Sequence, residues 1–317
     1  MNRNKKLSKK EFDAIIKENL INSGVSEESF GYKTDKDRIY HEYYVESEFN
    51  KFVCEMKSGY PEHYKKYYGD ENASENKGGM GGELIPKRGR WGMMPPKMAS
   101  VASSSRFCYL ALRDGTNALF PDWEIAKNDV EFEKECRIFL DGPTAPQLDA
   151  YIENPSCSCY IEAKCHEIFD SHKIEFKNKY WDIFRKDKSF GCVLENVIRH
   201  GETFELSGNV FNLSDAHLRF DVKQFICHLL GIANQAKGKQ AKLVYLFFKP
   251  KSNDEKVNAR IDEVFDELRD EIDSIFTSAV IVEFCLDNQI VLEAIVQECN
   301  VMRKLDICNS WKLFPRV

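Results

Sequence analysis

The chain lacks several features that would assign it to a membrane or secreted class. Among its 317 residues no apolar run reaches the roughly 18 residues that a membrane-spanning helix needs. The basic N-terminal stretch is not followed by an apolar segment, so it does not have the pattern of a signal peptide. These absences predict a cytoplasmic protein that has no membrane partner.

The sequence also lacks the cysteine spacing of a zinc or disulfide framework. It contains eleven cysteines, an odd number, and none of them form the Cys-x₂-Cys pairs typical of zinc sites. Because the chain is neither short nor secretory in pattern, reduced thiols are the simplest interpretation. Cys157, Cys159 and Cys165 are close in sequence, which leaves a zinc-stabilised interaction protein as an alternative.

A strong positive charge is absent as well. The net charge of −6 argues against a protein that coats nucleic acid without specificity. Sequence-specific binding depends instead on local clusters of basic residues. The first cluster contains Lys87, Arg88, Arg90 and Lys97. The second is interleaved with aromatic residues and contains Lys173, Lys177, Lys179, Arg185, Lys186 and Lys188. We expect the basic residues of both clusters to contact DNA phosphates.

What the sequence does contain is a mixture of helical and strand patterns. Ser8 and the apolar stripe behind it predict a first helix over residues 7–22, and Tyr40–Met56 predicts a second. The Gly- and Pro-rich stretch 70–98 predicts a basic loop. Residues 1–98 are therefore predicted to form an N-terminal helical region.

The remaining part of the chain, residues 99–317, predicts an α/β core. Towards its end, Ile261–Ile275 has the spacing of an amphipathic helix. Ala279–Phe284 predicts a buried strand and Gln289–Leu305 a last helix. The core is thus expected to end in a helix-strand-helix elaboration.

The most informative segment is a predicted hairpin over residues 148–165. Two alternating apolar and polar runs flank Asn154–Ser156, which is typical of a turn. Because side chains alternate along a strand, Asp149, Glu162 and Lys164 are predicted to face one side, opposite the cysteines. Two carboxylates and an ammonium suit Mg²⁺-dependent phosphodiester hydrolysis. A surface hairpin with a cross-strand ion pair is the alternative.

This arrangement resembles the PD-(D/E)xK nuclease superfamily, whose motif is an Asp followed by Glu-x-Lys on an adjacent strand. The matching residues are Asp149 and Glu162-Ala163-Lys164, with twelve residues between the two acids, and Leu148 stands where the motif has proline. The resemblance covers roughly residues 100–250. It implies a restriction-endonuclease-like fold, in which helices flank a mixed central sheet.

The resemblance also implies elements on either side of the hairpin. An acidic helix is expected over Val130–Leu140. Glu133 and Glu135 both fit the place of the family's acidic residue, and Glu135 is the further candidate site residue. A helix at Asp221–Asn234 is expected to precede the apolar strand Leu243–Phe248, and its first turn carries Gln224, a second additional candidate.

A narrower resemblance concerns the serine-rich entry to a helix. Ala102–Ser105, followed by Phe107–Leu112, is similar to the corresponding segment of a group of bacterial restriction endonuclease-like proteins. It implies a bacterial type II enzyme that acts on double-stranded DNA. Palindromic sites are most simply recognised by two-fold dimers, so a homodimer is expected.

The resemblance implies a role for each motif residue. Asp149, Glu162 and the main-chain carbonyl of Ala163 would bind Mg²⁺, while Lys164 would position or help deprotonate the attacking water. The hypothesis is therefore a Mg²⁺-dependent, site-specific deoxyribonuclease. A non-catalytic DNA-binding module of the same fold and the zinc-stabilised interaction protein are the alternatives.

Overall fold

The computed structural model of the chain has α/β architecture. It describes residues 6–35, 38–68, 83–89, 92–114, 129–138, 145–170, 172–173, 203–206, 209–212, 217–236, 239–277 and 279–299. The helices are α1 (Lys9–Asn22), α2 (Glu46–Gly59), α3 (Pro61–Tyr68), α4 (Ser104–Leu112), α5 (Val222–Gln235), α6 (Glu255–Phe276) and α7 (Ala279–Asp287). The strands are β1 (Phe30–Asp35), β2 (Arg38–Tyr44), β3 (Lys87–Gly89), β4 (Gly92–Met94), β5 (Val130–Glu135), β6 (Gln147–Glu153), β7 (Cys157–Lys164), β8 (His172–Lys173), β9 (Thr203–Leu206), β10 (Asn209–Asn212), β11 (His217–Leu218), β12 (Gln240–Pro250) and β13 (Ile290–Cys299).

A five-stranded mixed sheet forms the centre of the fold. Its strand order is β13-β12-β7-β6-β5. β12 is parallel to both of its neighbours, whereas β6 is antiparallel to β5 and β7. Parallel neighbours require a crossover connection, and α5 precedes β12 while α6 and α7 precede β13. This sheet and its helices confirm the predicted α/β class.

Helices cover both faces of the sheet. Phe107 of α4 contacts Phe248 of β12 with ring centroids 4.7 Å apart. Tyr245, on the opposite face of β12, contacts Phe225 of α5 at 6.1 Å. Because side chains alternate along a strand, α4 and α5 lie on opposite faces. As a result, Cys157–Ala163 of β7 is buried on both faces, and any polar group there needs a partner inside the protein.

The caps of two predicted helices match the sequence pattern. Ser8 and Glu11 form a capping box at the start of α1, where the Ser8 amide donates to the Glu11 carboxylate at 2.9 Å. Asp221 caps α5 by accepting a hydrogen bond from the Gln224 amide at 2.9 Å. This second cap fixes the backbone at the residue that was predicted to support the site.

The N-terminal helices pack on the same core as the sheet. Phe52 of α2 and Tyr67 of α3 contact Tyr109 of α4 at 5.8 and 5.9 Å. Tyr67 also contacts Phe132 of β5 at 5.6 Å. In the described part of the chain, no helix is long and apolar enough to cross a membrane.

The prediction of a helix over Val130–Leu140 is wrong. Val130–Glu135 forms strand β5, which pairs antiparallel with β6 at the edge of the sheet. Val130 and Phe132 are buried at two-residue spacing, and this period of two indicates a strand. The acidic residues of this segment are therefore placed by strand pairing.

The second predicted helix is only partly correct. Residues up to Tyr44 form strand β2, paired with β1, and helix α2 begins at Glu46. The aromatic residues of this stretch favour strand, and their partner lies one turn away in β1. The prediction of a loop over residues 70–98 is also only partly correct, because β3 and β4 form a short hairpin within this segment.

The C-terminal prediction inverts two elements. Ala279–Asp287 is helix α7, and Ile290–Cys299 is strand β13. β13 pairs with β12 from Ile290 to Cys299, so it belongs to the central sheet. A strand buried in a parallel pair has a near-continuous apolar sequence, and short apolar runs do not distinguish helix from strand.

Candidate active site

The hairpin places its two motif carboxylates side by side. The β6–β7 ladder ends where Ala150 lies opposite Ile161, so the next facing pair is Asp149 and Glu162. Instead of a backbone pair, the Asp149 carboxylate accepts a hydrogen bond of 2.7 Å from the amide of Ala163. The side chain therefore replaces a ladder bond at the point where the strands part.

Lys164 is held beside these carboxylates by two hydrogen bonds. Its Nζ donates to Oε1 of Glu162 at 2.7 Å and to Oε1 of Gln224 at 2.6 Å. Gln224 Nε2 donates in turn to Glu162 Oε1 at 2.8 Å, which closes a three-membered network. Burial by itself would lower the pKa of Lys164, but the charges of Glu162 and Glu167 outweigh burial and raise it.

Helix α5 supplies a second residue one turn beyond Gln224. His228 is fully buried, with Nε2 3.8 Å from Oε2 of Glu162 and Nδ1 3.1 Å from the Tyr245 hydroxyl. Burial lowers the pKa of His228, which keeps the ring neutral. Gln224 and His228 therefore approach Glu162 from the same face of the helix, and sequence analysis did not identify His228.

A third carboxylate joins the row: Glu133, which the resemblance placed in the predicted acidic helix without making it a candidate site residue. Phe132 pairs with Ala150, and Lys134 pairs with Leu148, so Glu133 lies opposite Asp149. Glu133 is 7% exposed and has a positive φ of 54°, an uncommon backbone conformation for a residue with a side chain. Burial, followed by the charge of Glu83, raises its pKa to about 8.

Glu83 brings a fourth carboxylate near the row. It is buried, and its Oε1 accepts a hydrogen bond of 2.6 Å from Lys97 Nζ. Its Oε2 is also buried, and it has no hydrogen-bond partner among the residues that the structure describes. The charges of Glu83 and Glu133 both act on Lys97, so this lysine lies at the edge of the same cluster.

The cluster contains more negative than positive groups. Lys97 pairs with Glu83, and Lys164 pairs with Glu162. Glu133 and Asp149 form no ion pair within the described ranges. Burial, followed by the charges of Glu162 and Glu133, raises the pKa of Asp149 well above its usual value. The two carboxylates without a cation would be balanced by one divalent ion.

The donor set fits a hard cation in its chemistry. Carboxylate oxygens are the ligands that Mg²⁺ prefers, and a buried oxygen without a hydrogen-bond partner is present on Glu83. As the side chains stand, no three acidic, histidine or cysteine residues in the described part surround one metal position. Binding an ion would require the Asp149 and Glu162 carboxylates to exchange hydrogen bonds for metal contacts.

The other candidate residues lie elsewhere. The Glu135 carboxylate is 3.4 Å from Arg137, and the structure gives it no contact with the motif carboxylates. Cys157 and Cys159 are buried, as predicted for the apolar side of the hairpin. Three of the basic residues, Lys87, Arg88 and Lys173, belong to short strands β3 and β8. Apart from Lys97, which pairs with Glu83, the rest lie outside the described residues: Arg90, Lys177, Lys179, Arg185, Lys186 and Lys188.

No protein-family model, curated protein or solved structure matches the chain.

Proposed function

We propose that the chain is a Mg²⁺-dependent endonuclease that hydrolyses phosphodiester bonds in double-stranded DNA, with the core of a type II restriction enzyme. The principal support is the row of carboxylates that Glu133, Asp149 and Glu162 form across three neighbouring strands. Lys164 lies two residues beyond this row and is held by Gln224. A surface hairpin with one ion pair would expose its polar face, whereas Glu133 and Glu162 are buried.

The proposal gives the carboxylates and the lysine different roles. Asp149, Glu162 and the Ala163 carbonyl would hold Mg²⁺, with Glu133 as a further oxygen ligand. When bound, the ion would supply positive charge beside the scissile phosphate and increase the acidity of the attacking water. Each of these ligands belongs to the central sheet, so the position of the phosphate would be fixed by rigid elements.

Lys164 acts as a positively charged group in this proposal and not as a general base. Its raised pKa keeps the ammonium protonated at neutral pH. An ammonium can donate to the attacking water and to the phosphate oxygens, and it stabilises charge that develops there. Gln224 holds Nζ in place by accepting its second hydrogen bond. Glu162 contributes both to this orientation and to the metal ligands.

The DNA duplex would be bound through its phosphates by the two basic clusters. Lys87 and Arg88 lie on the β3–β4 hairpin, the chain segment just beyond Glu83. Replacing Lys87, Arg88 and Arg90 together by Gln should weaken binding to all DNA sequences alike and reduce the slope of log affinity against log salt by about three. An unchanged slope would assign the phosphate contacts to the residues between Lys173 and Lys188. A homodimer would present two such surfaces.

A cleavage assay on a complex DNA substrate tests the proposal. The purified protein is incubated with phage DNA in the presence and absence of Mg²⁺, and the fragment ends are sequenced. Ends that share one sequence, seen only with the ion, are the expected result. The absence of cleavage by a folded protein at any Mg²⁺ concentration would favour the non-catalytic DNA-binding module. Stoichiometric zinc in the purified protein would favour the zinc-stabilised alternative.

A lysine variant separates chemistry from folding. Lys164→Ala should reduce cleavage by about 100-fold or more while DNA binding persists, because the ammonium acts on charge that develops in the reaction. Lys239→Ala is the matched control, since this lysine pairs with Glu153 at the far end of the same hairpin. Equal cleavage by both variants would remove Lys164 from the proposed site.

A further inference from the structure

A cavity lies beside α4, on the opposite face of the sheet from the carboxylate row. It has a volume of about 540 Å³ and lies between α2, α4 and the end of β2. Its wall includes Phe52, Arg106 and Phe107. Phe107 packs against Phe248 on the α4 face, whereas Gln224 and His228 belong to α5 on the other face. The two sites are therefore separate.

Arg106 projects from α4 into an aromatic sandwich beside this cavity. Its guanidinium carbon is 4.0 Å from the ring centroid of Tyr44 and 4.3 Å from that of Phe52. The two rings fix the plane of the guanidinium and exclude water from both of its sides. Burial lowers the pKa of Arg106, which indicates that its charge is incompletely compensated.

The guanidinium edge has donors that the described residues do not use. A guanidinium offers five N–H donors, and Arg106 has one hydrogen bond, to the Met98 carbonyl at 3.3 Å, among the described residues. It forms no ion pair there. Arg113 lines the same cavity, and its buried Nε, which faces the Asp114 carboxylate at 3.7 Å, makes no hydrogen bond in the described part.

The ion pairs around the cavity leave Arg106 as its cation without a paired carboxylate among the described residues. Lys51 is paired with Glu48 at 2.6 Å, and Arg113 is 3.7 Å from Asp114. Glu55 is the other acidic residue in the wall, and its charge acts on Arg106 without forming an ion pair. An anion with two or more oxygens in one plane could accept from the unused edge of Arg106.

We propose that this cavity binds a small phosphate-bearing ligand through Arg106 and Arg113. Phosphate oxygens match the fixed fork of a stacked guanidinium. The volume falls within the roughly 300–1,000 Å³ of small-molecule sites, so it admits a mononucleotide as well as inorganic phosphate. This inference does not depend on nuclease activity, because the cavity shares no residue with the carboxylate row.

Calorimetric titration of the full chain with inorganic phosphate, pyrophosphate and deoxyadenosine monophosphate tests the proposal. At least one probe should bind saturably with a stoichiometry of one. Arg106→Met should weaken that binding at least tenfold, and Arg113→Met should also weaken it, because each removes donors from the wall. Preference for the nucleotide over phosphate would identify the ligand source as a nucleotide, and the reverse order would identify free phosphate.

Two further variants keep the test independent of folding. Glu55→Gln should tighten binding severalfold, because it removes an exposed negative charge from the wall and leaves the aromatic sandwich intact. Arg269→Met, on the exposed side of α6, is the control and should not change affinity. The absence of saturable binding by the wild-type chain, or equal affinity in Glu55→Gln and wild type, would overturn the proposal. Binding of duplex DNA alone would also overturn it, because the surface would then belong to the nucleic-acid interface.

Discussion

Replacing Glu133 by Gln tests the buried carboxylate row through stability, without any assumption about activity. Burial and the nearby charge of Glu83 raise the pKa of Glu133 from 4.5 to about 8. Between these two values the folded chain retains a proton that the unfolded chain has lost. The metal-free protein should therefore become less stable as the pH rises through this window.

The size of this loss of stability follows from the raised pKa of Glu133. One group that is protonated only in the folded state contributes a slope of about 1.4 kcal/mol per pH unit. Between about pH 5.5 and pH 8 this amounts to roughly 3 kcal/mol of lost unfolding free energy. Glu133→Gln cannot ionise, so its profile should be flatter by that amount. The raised pKa of Asp149 acts in the same direction and leaves some slope in the variant.

Urea denaturation at closely spaced pH values, with a chelator present, measures this difference. Glu135→Gln is the matched control, because it makes the same change two residues away on β5, where the carboxylate pairs with Arg137 at 3.4 Å. Its profile should follow that of the wild type. Parallel profiles for Glu133→Gln and the wild type would show that Glu133 is not a buried acid, and the charge argument for the site would fail.

Adding Mg²⁺ at about pH 8 extends the same experiment. An ion at about 100 times its dissociation constant stabilises the folded state by about 2.7 kcal/mol. The wild type should gain this stability and release protons as the ion binds. Glu133→Gln should gain less, since one oxygen ligand is lost. Equal gains in the two proteins would remove Glu133 from the metal ligands while leaving its buried position unaffected.

Three more variants test the support around the site. Gln224→Leu should slow cleavage about 10- to 100-fold, measured as initial rates at saturating Mg²⁺, because Glu162 and Lys164 lose a shared partner; an unchanged rate would contradict this role. Gly231→Ala should cost roughly 2 kcal/mol in urea denaturation, because its Cβ would lie 2.5 Å from the Cys136 carbonyl oxygen; wild-type stability would mean that the β5 end moves freely. Ser103→Ala should cost about 1 kcal/mol by the same assay, because the Ser103 hydroxyl caps α4 by accepting from the Arg106 amide at 3.2 Å; no loss would indicate that water replaces the cap.

The hairpin could be predicted because its information is local. Strand alternation alone places Asp149, Glu162 and Lys164 on one face, and the turn between the strands sets their register. The contact of Gln224 with Glu162 and Lys164 could be predicted only from the family resemblance. His228 lies four residues after Gln224, on the same face of the same helix. This helical spacing would have identified it as a second candidate once Gln224 was chosen.

The rest of the site depends on contacts between distant segments. Glu133 is selected over Glu135 by the pairing of β5 with β6, and the positive φ at Glu133 cannot be read from a pattern. Glu83 reaches the cluster through its pairing with Lys97 and is separated from the hairpin by more than sixty residues. The inversion of α7 and β13 has another cause, since both are short apolar segments whose conformation is decided by tertiary pairing.

The order of elements along the chain has a consequence for biosynthesis. β5, β6 and β7 are consecutive, so their antiparallel pairing involves short loops and can form as soon as residue 164 has left the ribosome. α5 begins about sixty residues after the end of β7, the parallel strand β12 follows α5, and β13 follows later still. We expect the nascent sheet to keep an open, acid-rich face during that interval, which water can solvate. The enclosed site would then arise only after α5 has been synthesised and covers this face, so a chain interrupted before this helix would have its motif residues but no buried row.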